Sequence, residues 1–593
     1  SATNRPRFFP TPLRYRSLHD GLLLPARRIA PGVAMADESQ PLRRLDDNPR
    51  GTTKATRRCV LLRPRDDQDR PPGGWSTAAT QRHGLTRQME RSRAKIATMG
   101  RHLTVDEIEQ LRHIFTDIGY VTDPVMAAIG DSGQLGLTRN SATPALRALA
   151  GRTDALAGAI RLWLLQQPVP VEQLAPLPLQ ALTEAGIVSI AGSTARALVD
   201  VRPYGSPDDG ASGWTVSDLT PGLDKAITKI RPDYVLGVSP ASVSLTQMAV
   251  PTHVGSALDM GCGCGVQSLH LSRHADHVVA TDVNPRALEM AQLTCRLSHA
   301  DVDIRDGSLY DPCGHDTFDL IVTNPPYVMA PPSRDGQRLI YREGGFCGDG
   351  LVEAVVRGAP ARLNDGGMLQ VLANWAHIGD QPWSERLATW VEETGCDLWV
   401  VEREHLDVCE YIETWLTDAG LDGSAQWRSR YDEWLSYFDN LDVTGVSLGW
   451  ITLTKAGRDD PDLCFEEWPW QVAQPIGGTM ARRAQAVIWA HLSDEDLLAR
   501  RWRIAPNVDS ETTGRPGATD PEHVVLRQRR GLCRAVEMTT ASGGVLGACD
   551  GELTLAQITD AVSAILEVDH DALLIEVLPL VRECLRYGIL ETA

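Results

Sequence analysis

The chain has 593 residues, 42% of them hydrophobic and 23% charged, and carries a net charge of −19. That length excludes a single core, since domains hold about 100–200 residues each, and the composition excludes disorder throughout. No apolar run reaches the ~18 residues a membrane-spanning helix requires, so no membrane partner is expected and a cytoplasmic location is.

The charge is unevenly spread. Residues 1–95 hold 20 Lys and Arg against 9 Asp and Glu, a balance of +11 that leaves −30 for the remainder. An acidic body repels bulk nucleic acid, so no DNA partner is expected, while a structured RNA remains possible through a local basic patch. Residues 1–98 read as a disordered basic leader without helical or strand period. Its Arg-rich start loosely resembles a transit peptide. The preferred expectation is a leader upstream of the natural start, with Met35, Met89 or Met99 as first residue, because 5 Lys against 53 Arg is a bias of GC-rich bacterial genes. Twelve cysteines without any C-x-x-C pair fit a reducing compartment.

Residues 99–231 form the next unit. Thr104 and Glu107 make a capping box ahead of Ile108, Leu111, Phe115 and Ile118. Helical patterns run over 144–167 and 171–185, followed by a short helix expected at 193–197 and a strand at 198–202. Helices followed by a small ribbon look like a winged helix, but its second helix would hold only Arg196, so protein docking or a purely structural role stands at least level with nucleic-acid reading.

From 232 to 458 the pattern changes to short apolar runs alternating with helices. Strands are expected at 257–259, 277–282, 302–305, 318–323, 368–373, 398–402 and 446–454, with a charged helical insertion at 406–440 whose Trp415, Trp427 and Trp434 pack a small core. Near-continuous apolar strands with crossover helices predict an α/β fold, a mostly parallel sheet with helices on both faces. Residues 459–593 again read as mainly helical and winged-helix-like, with helices at 480–500, 554–566 and 570–587 and a closing strand at 588–591.

The chemistry gathers in the third unit. Asp259 precedes Gly261, Cys262, Gly263, Cys264 and Gly265 between a strand and a helix, where glycines let the backbone approach a ligand and helix N–H groups are free. The third glycine comes too early for the dinucleotide fingerprint G-x-G-x-x-G, so an NAD enzyme is the weaker reading. Asp282 closes the second strand, 23 residues after Asp259, where a carboxylate can accept both ribose hydroxyls; Asp306, followed by Gly307, ends the third strand in reach of an adenine amino group. Cys262 and Cys264 read as small neighbours of a cofactor, not as nucleophiles. His270, His274 and His277 lack a completing ligand, and no metal site is read from them.

These stations, in this order on consecutive strand ends, resemble the class I S-adenosylmethionine-dependent methyltransferases over about residues 232–455. The most specific element is Asn324-Pro-Pro-Tyr327 after the fourth strand. The resemblance implies S-adenosyl-L-methionine as cofactor, held by Asp259, Gly261, Cys262, Gly263, Cys264, Gly265, Asp282, Asp306, Gly307 and Asn324. It implies N-methylation of a planar amide or exocyclic amine, with Asn324, Pro325, Pro326 and Tyr327 at the reaction centre. Gly344-Gly-Phe-Cys-Gly-Asp-Gly-Leu351 resembles release-factor glutamine methyltransferases, whereas residues 363–374 resemble ribosomal RNA guanine-N2 methyltransferases. At 235–242 the Arg and Glu that glutamine methyltransferases carry are missing. A translation-factor-like protein glutamine is the leading substrate, ribosomal RNA guanine or adenine the alternative, and a non-catalytic cofactor-binding scaffold the rival of another class.

Overall fold

The computed structural model describes residues 100–226, 230–332, 340, 342, 344–516 and 523–593, so the leader expected over 1–98 lies outside the described residues. Its centre is an eight-stranded sheet. In chain order the strands are β1 (Val254–Met260), β2 (Ala275–Asp282), β3 (Asp303–Asp306), β4 (Phe318–Thr323), β5 (Leu363–Ile378), β6 (Asp397–Asp407), β7 (Val443–Thr454) and β8 (Leu463–Glu467). They stand in the order β3-β2-β1-β4-β5-β7-β6-β8. All neighbours are parallel except β7, which runs antiparallel to both β5 and β6.

The sequence explains the burial. Along β1 and β4, Ala257, Leu320 and Val322 face one layer while Leu258 and Ile321 face the other, so both faces need cover. Helix Gly350–Gly358 packs on one face through Val352, Val355 and Val356, and helix Pro240–Met248 on the other through Leu245 and Met248. Helices Val408–Asp418 and Trp427–Asn440 fill the insertion, and Trp415 and Trp434 are buried in a cluster of their own beside Tyr411 and Phe438. All seven expected strands form, most of them longer than their apolar runs.

The N-terminal region departs from the sequence reading in two places. Residues 193–197 are not a helix: Thr194–Ala197 is a strand paired with Val188–Ala191, and Gly192 and Ser193 make the two-residue turn between them. Gly192 takes a positive φ of 62°, which a hairpin turn of this length favours. The stretch 171–185 is broken by Pro176 and Pro178 into a 3-10 turn, Val171–Leu174, and a helix, Leu179–Glu184. That helix, LQALTE, contains no Lys or Arg. Val169–Pro170 pairs with Thr194–Ala197 from the other side and completes a small three-stranded sheet.

A second hairpin, Asp200–Gly205 with Ser212–Ser217, lies against helix Pro285–Leu297 of the central domain. Ser298 and Thr294 accept the Trp214 and Val216 N–H groups, and Arg286 makes a buried bidentate pair with Asp218. Phe115, Trp163 and Trp214 share one core with Val266, Leu269 and Met290. At the other end, helix Gly477–Ala490 packs on the sheet through Met480, and Arg483 and Arg534 pair with buried Asp462 and Glu466. Beyond it, Arg501–Ile504 inserts between Asp550–Thr554 and Leu590–Thr592, beside helices Leu555–Leu566 and His570–Arg586.

Candidate active site

In the order β3-β2-β1-β4-β5 the chain reverses direction between β1 and β4, and ligands of open α/β sheets bind at the carboxyl ends of strands on either side of such a switch. The last residues of the two strands, Met260 and Thr323, are register partners, and the Thr323 hydroxyl donates to the Met260 carbonyl at 2.7 Å. The glycine loop at 261–265 and the tetrapeptide at 324–327 therefore leave the sheet side by side.

The loop is built as a cradle. Gly261 and Gly263 have φ of 73° and 53°, and a Cβ on either would meet nothing within 4 Å, so their Cα atoms border open space that a ligand can approach. Helix Val266–Leu271 follows directly. Asp282 Oδ2 accepts the Gly263 N–H at 2.9 Å, and its Oδ1 accepts the Asn284 N–H at 2.8 Å. Asp306 is the register partner of Asp282 on β3, and the Gly307 N–H donates to the Asp282 carbonyl. Burial, with repulsion from Asp306 added, pushes the Asp282 carboxyl above the usual range. Asp259 is fully enclosed, accepts the Ser268 hydroxyl at 2.6 Å, and is pushed up by burial to about 7.

Burial also pushes the Cys264 thiol up to about 12 and Cys262 well above its usual value, so neither supplies a thiolate at neutral pH. They line the loop as small neutral side chains. The open cradle with Asp282 and Asp306 at adjacent strand ends is a set of acceptors whose chemistry suits the hydroxyls and amino group of S-adenosylmethionine. His270 is bound elsewhere: its Nδ1 lies 2.7 Å from Asp209 and its Nε2 2.6 Å from the Tyr204 hydroxyl, which ties the second N-terminal hairpin to the helix after the loop.

Around the tetrapeptide, Pro325 is buried and Asn324 is half-buried. Among the described residues the Asn324 carboxamide takes no hydrogen bond. The Pro326 carbonyl accepts the Gly344 N–H at 2.9 Å, and the Val328 N–H donates to Arg342, so the glycine-rich segment folds back along the tetrapeptide. Tyr327 packs where three hydrophobic clusters meet, and burial pushes its hydroxyl up to about 12, which keeps the ring neutral.

Sequence reasoning did not find what braces this segment. The Tyr411 hydroxyl accepts the Met329 N–H at 3.0 Å and Asn374 Nδ2 at 2.9 Å. Tyr437 accepts the Gly348 N–H at 2.7 Å, and Arg342 pairs with Asp418 at 2.9 Å, both partners buried. Tyr411, Asp418 and Tyr437 all lie in the insertion, which thus holds the tetrapeptide segment from one side. Its aromatic spacing was the available signal.

The sheet order, mostly parallel with one antiparallel strand and helices on both faces, is that of the class I methyltransferase fold. Residues 238–395 match the family model described as methyltransferase small domain, and residues 117–198 match a domain of unknown function (DUF7059). The chain is 34% identical over 128 residues to a release factor glutamine methyltransferase of Geobacter sulfurreducens, covering 20% of this chain and 45% of that one. It is 31% identical over 153 residues to a ribosomal protein uL3 glutamine methyltransferase of Bradyrhizobium diazoefficiens, covering 24% and 48%. It is 28% identical over 140 residues to ribosomal RNA small subunit methyltransferase C of Escherichia coli, covering 23% and 36%. The chain thus spans less than half the length of the curated relatives it matches. Among the described residues no helix is long and apolar enough to cross a membrane.

Proposed function

We propose that this protein is an S-adenosylmethionine-dependent N-methyltransferase acting on the side-chain amide of a protein glutamine. One observation carries the reading: the glycine cradle and the tetrapeptide leave register-paired ends of β1 and β4, so a methyl donor on the first and a planar amide on the second lie within transfer reach. An amide nitrogen is a poor nucleophile because its lone pair is delocalised. The Asn324 side-chain oxygen and the Pro325 carbonyl would accept its two N–H groups, holding the nitrogen and favouring its pyramidalisation. The Pro326 carbonyl, engaged by Gly344, instead fixes the turn. Bound S-adenosylmethionine supplies an electrophilic sulfonium methyl. No strong base is required, since the nitrogen becomes acidic only after it is methylated, and most of the acceleration is positional.

Two of the three relatives cited act, by name, on glutamine, and the acidic body disfavours an extended polyanion. The name of the third relative supports ribosomal RNA as the second reading. A lysate from a strain lacking this gene, incubated with the protein and tritiated cofactor, separates them. Label released by protease and resistant to nuclease is expected; label released by nuclease alone transfers the assignment to RNA. Calorimetry addresses the scaffold reading: cofactor binding by the wild type that is lost in Asp282→Ala is expected, and no binding by the wild type would remove the cofactor altogether.

A further inference from the structure

Away from the cradle, three ligating side chains converge near the end of β5 and the adjoining stretch of β6. His377 is the penultimate residue of β5, Glu402 and His405 lie on β6, and β7 runs between the two strands. Ser447 of β7 stands at the middle of the group. Its hydroxyl donates to Glu402 Oε1 at 2.8 Å and lies 2.6 Å from His377 Nε2 and 3.3 Å from His405 Nδ1. His405 Nδ1 is 3.7 Å from Glu402 Oε1, and the two imidazole centroids are 4.4 Å apart. Around a tetrahedral zinc with bonds of about 2.0–2.1 Å, donor atoms stand roughly 3.3 Å from one another; the Ser447 separations fall at or below that edge length, and the three ligand atoms all lie within 4.8 Å of one another.

One feature points to a cation, and a second shows how the ring beside it is accommodated. Glu402 is only 7% exposed, yet its Oε2 has no hydrogen-bond partner, and among the described residues no Arg or Lys pairs with it. A buried carboxylate so left is strongly destabilising unless a positive charge meets it. Gly445, the register partner of His377, leaves the room that the His405 ring occupies: a Cβ there would lie 2.7 Å from His405 Cε1. The His405 side chain is 49% exposed, which gives an ion a path in from solvent.

We propose that His377, Glu402 and His405 bind one divalent transition-metal ion, zinc by the character of two imidazoles and a carboxylate, with the Ser447 hydroxyl as fourth ligand. With its fourth position filled by the protein, the ion is a structural clamp joining β5 to β6 across β7. Helix Val408–Asp418, capped by Asp407, begins three residues beyond His405, so the clamp fixes the root of the insertion that braces the tetrapeptide.

The test uses untagged full-length protein, stripped with chelator and dialysed against Zn²⁺, with metal content read by elemental analysis and Co²⁺ as a spectroscopic probe. The expected result is one tightly held zinc per chain and a visible ligand-field band with cobalt. Both are lost in Glu402→Gln and in His405→Ala, while the far-ultraviolet dichroism of His405→Ala is unchanged. Should Glu402→Gln fail to fold, the half-exposed His405→Ala decides alone. Wild type without tightly held zinc, or an undiminished zinc content in folded His405→Ala, overturns the proposal. None of these readouts depends on methyl transfer, so failure here leaves the proposed activity standing.

Discussion

Replacing Tyr411 by Phe removes a single oxygen and leaves the ring in its cluster with Trp415, Trp434 and Phe438. That oxygen accepts two hydrogen bonds, from the Met329 N–H and from Asn374 Nδ2, and Tyr411, Met329 and Asn374 are all inaccessible to solvent. Each orphaned buried donor costs about 1–3 kcal/mol, so losing the partner of both should destabilise the domain by about 2–6 kcal/mol without creating a cavity. Met329 lies two residues past Tyr327, so the loss is felt locally, in the segment that would hold the acceptor amide. If about 2 kcal/mol of it falls on local opening, hydrogen exchange at the Met329 amide should quicken roughly 30-fold at pH 7. The measurement is exchange over 327–332, paired with a denaturation midpoint and a cofactor titration. Exchange unchanged within about a factor of two, with an unshifted midpoint, would refute the claim that the insertion braces the tetrapeptide.

Asn324→Ala should lower kcat by about 100- to 1,000-fold and leave the cofactor Kd nearly unchanged, because its oxygen acts while the lone pair is being freed; single-turnover kinetics with cofactor calorimetry would check this. Asp259 titrates near 4 unfolded and about 7 folded, so the native state binds its proton more tightly, and stability present at low pH declines as pH rises through 7. The span amounts to on the order of 4 kcal/mol in the cofactor-free protein, and urea midpoints of Asp259→Asn against wild type should diverge in the variant's favour between pH 5 and pH 8; parallel midpoints would contradict it. Arg286→Ala strands the buried Asp218 carboxylate and should cost about 3–5 kcal/mol, seen as new protease cleavage within the 206–211 turn, whereas an unchanged digestion pattern would mean that the pair does not hold that hairpin.

The central sheet was legible because both of its faces are buried. Runs such as 318–323 are apolar at four of six positions, and a helix cannot easily use such a short run. The glycine loop and the tetrapeptide were legible because each is a contiguous string at a strand end. The hairpin at 188–197 was missed because Ala and Thr fit helix as well as strand, and only the Gly192-Ser193 pair marks its turn. The bracing by Tyr411 and Tyr437 and the group of His377, Glu402 and His405 were missed for another reason. Their partners are far apart in sequence, and only the order β5-β7-β6 brings His377 to Glu402 and His405. Glu402 and His405, three apart, resemble any charged strand end until β5 is laid beside them.

The core shared by Phe115, Trp163 and Trp214 with Val266, Leu269 and Met290 makes the first hundred described residues part of the same solid as the glycine loop. Among the described residues, the Arg286–Asp218 pair and the bonds from Asp209 and Tyr204 to His270 tie the two together beside that core. A macromolecule gripped by the N-terminal region would thus meet the glycine loop at an invariant distance. Under the proposed function, selection would then work as a ruler works: the span between the gripped feature and the target nitrogen would decide which site is modified, and a partner with the right chemistry at the wrong spacing would go untouched.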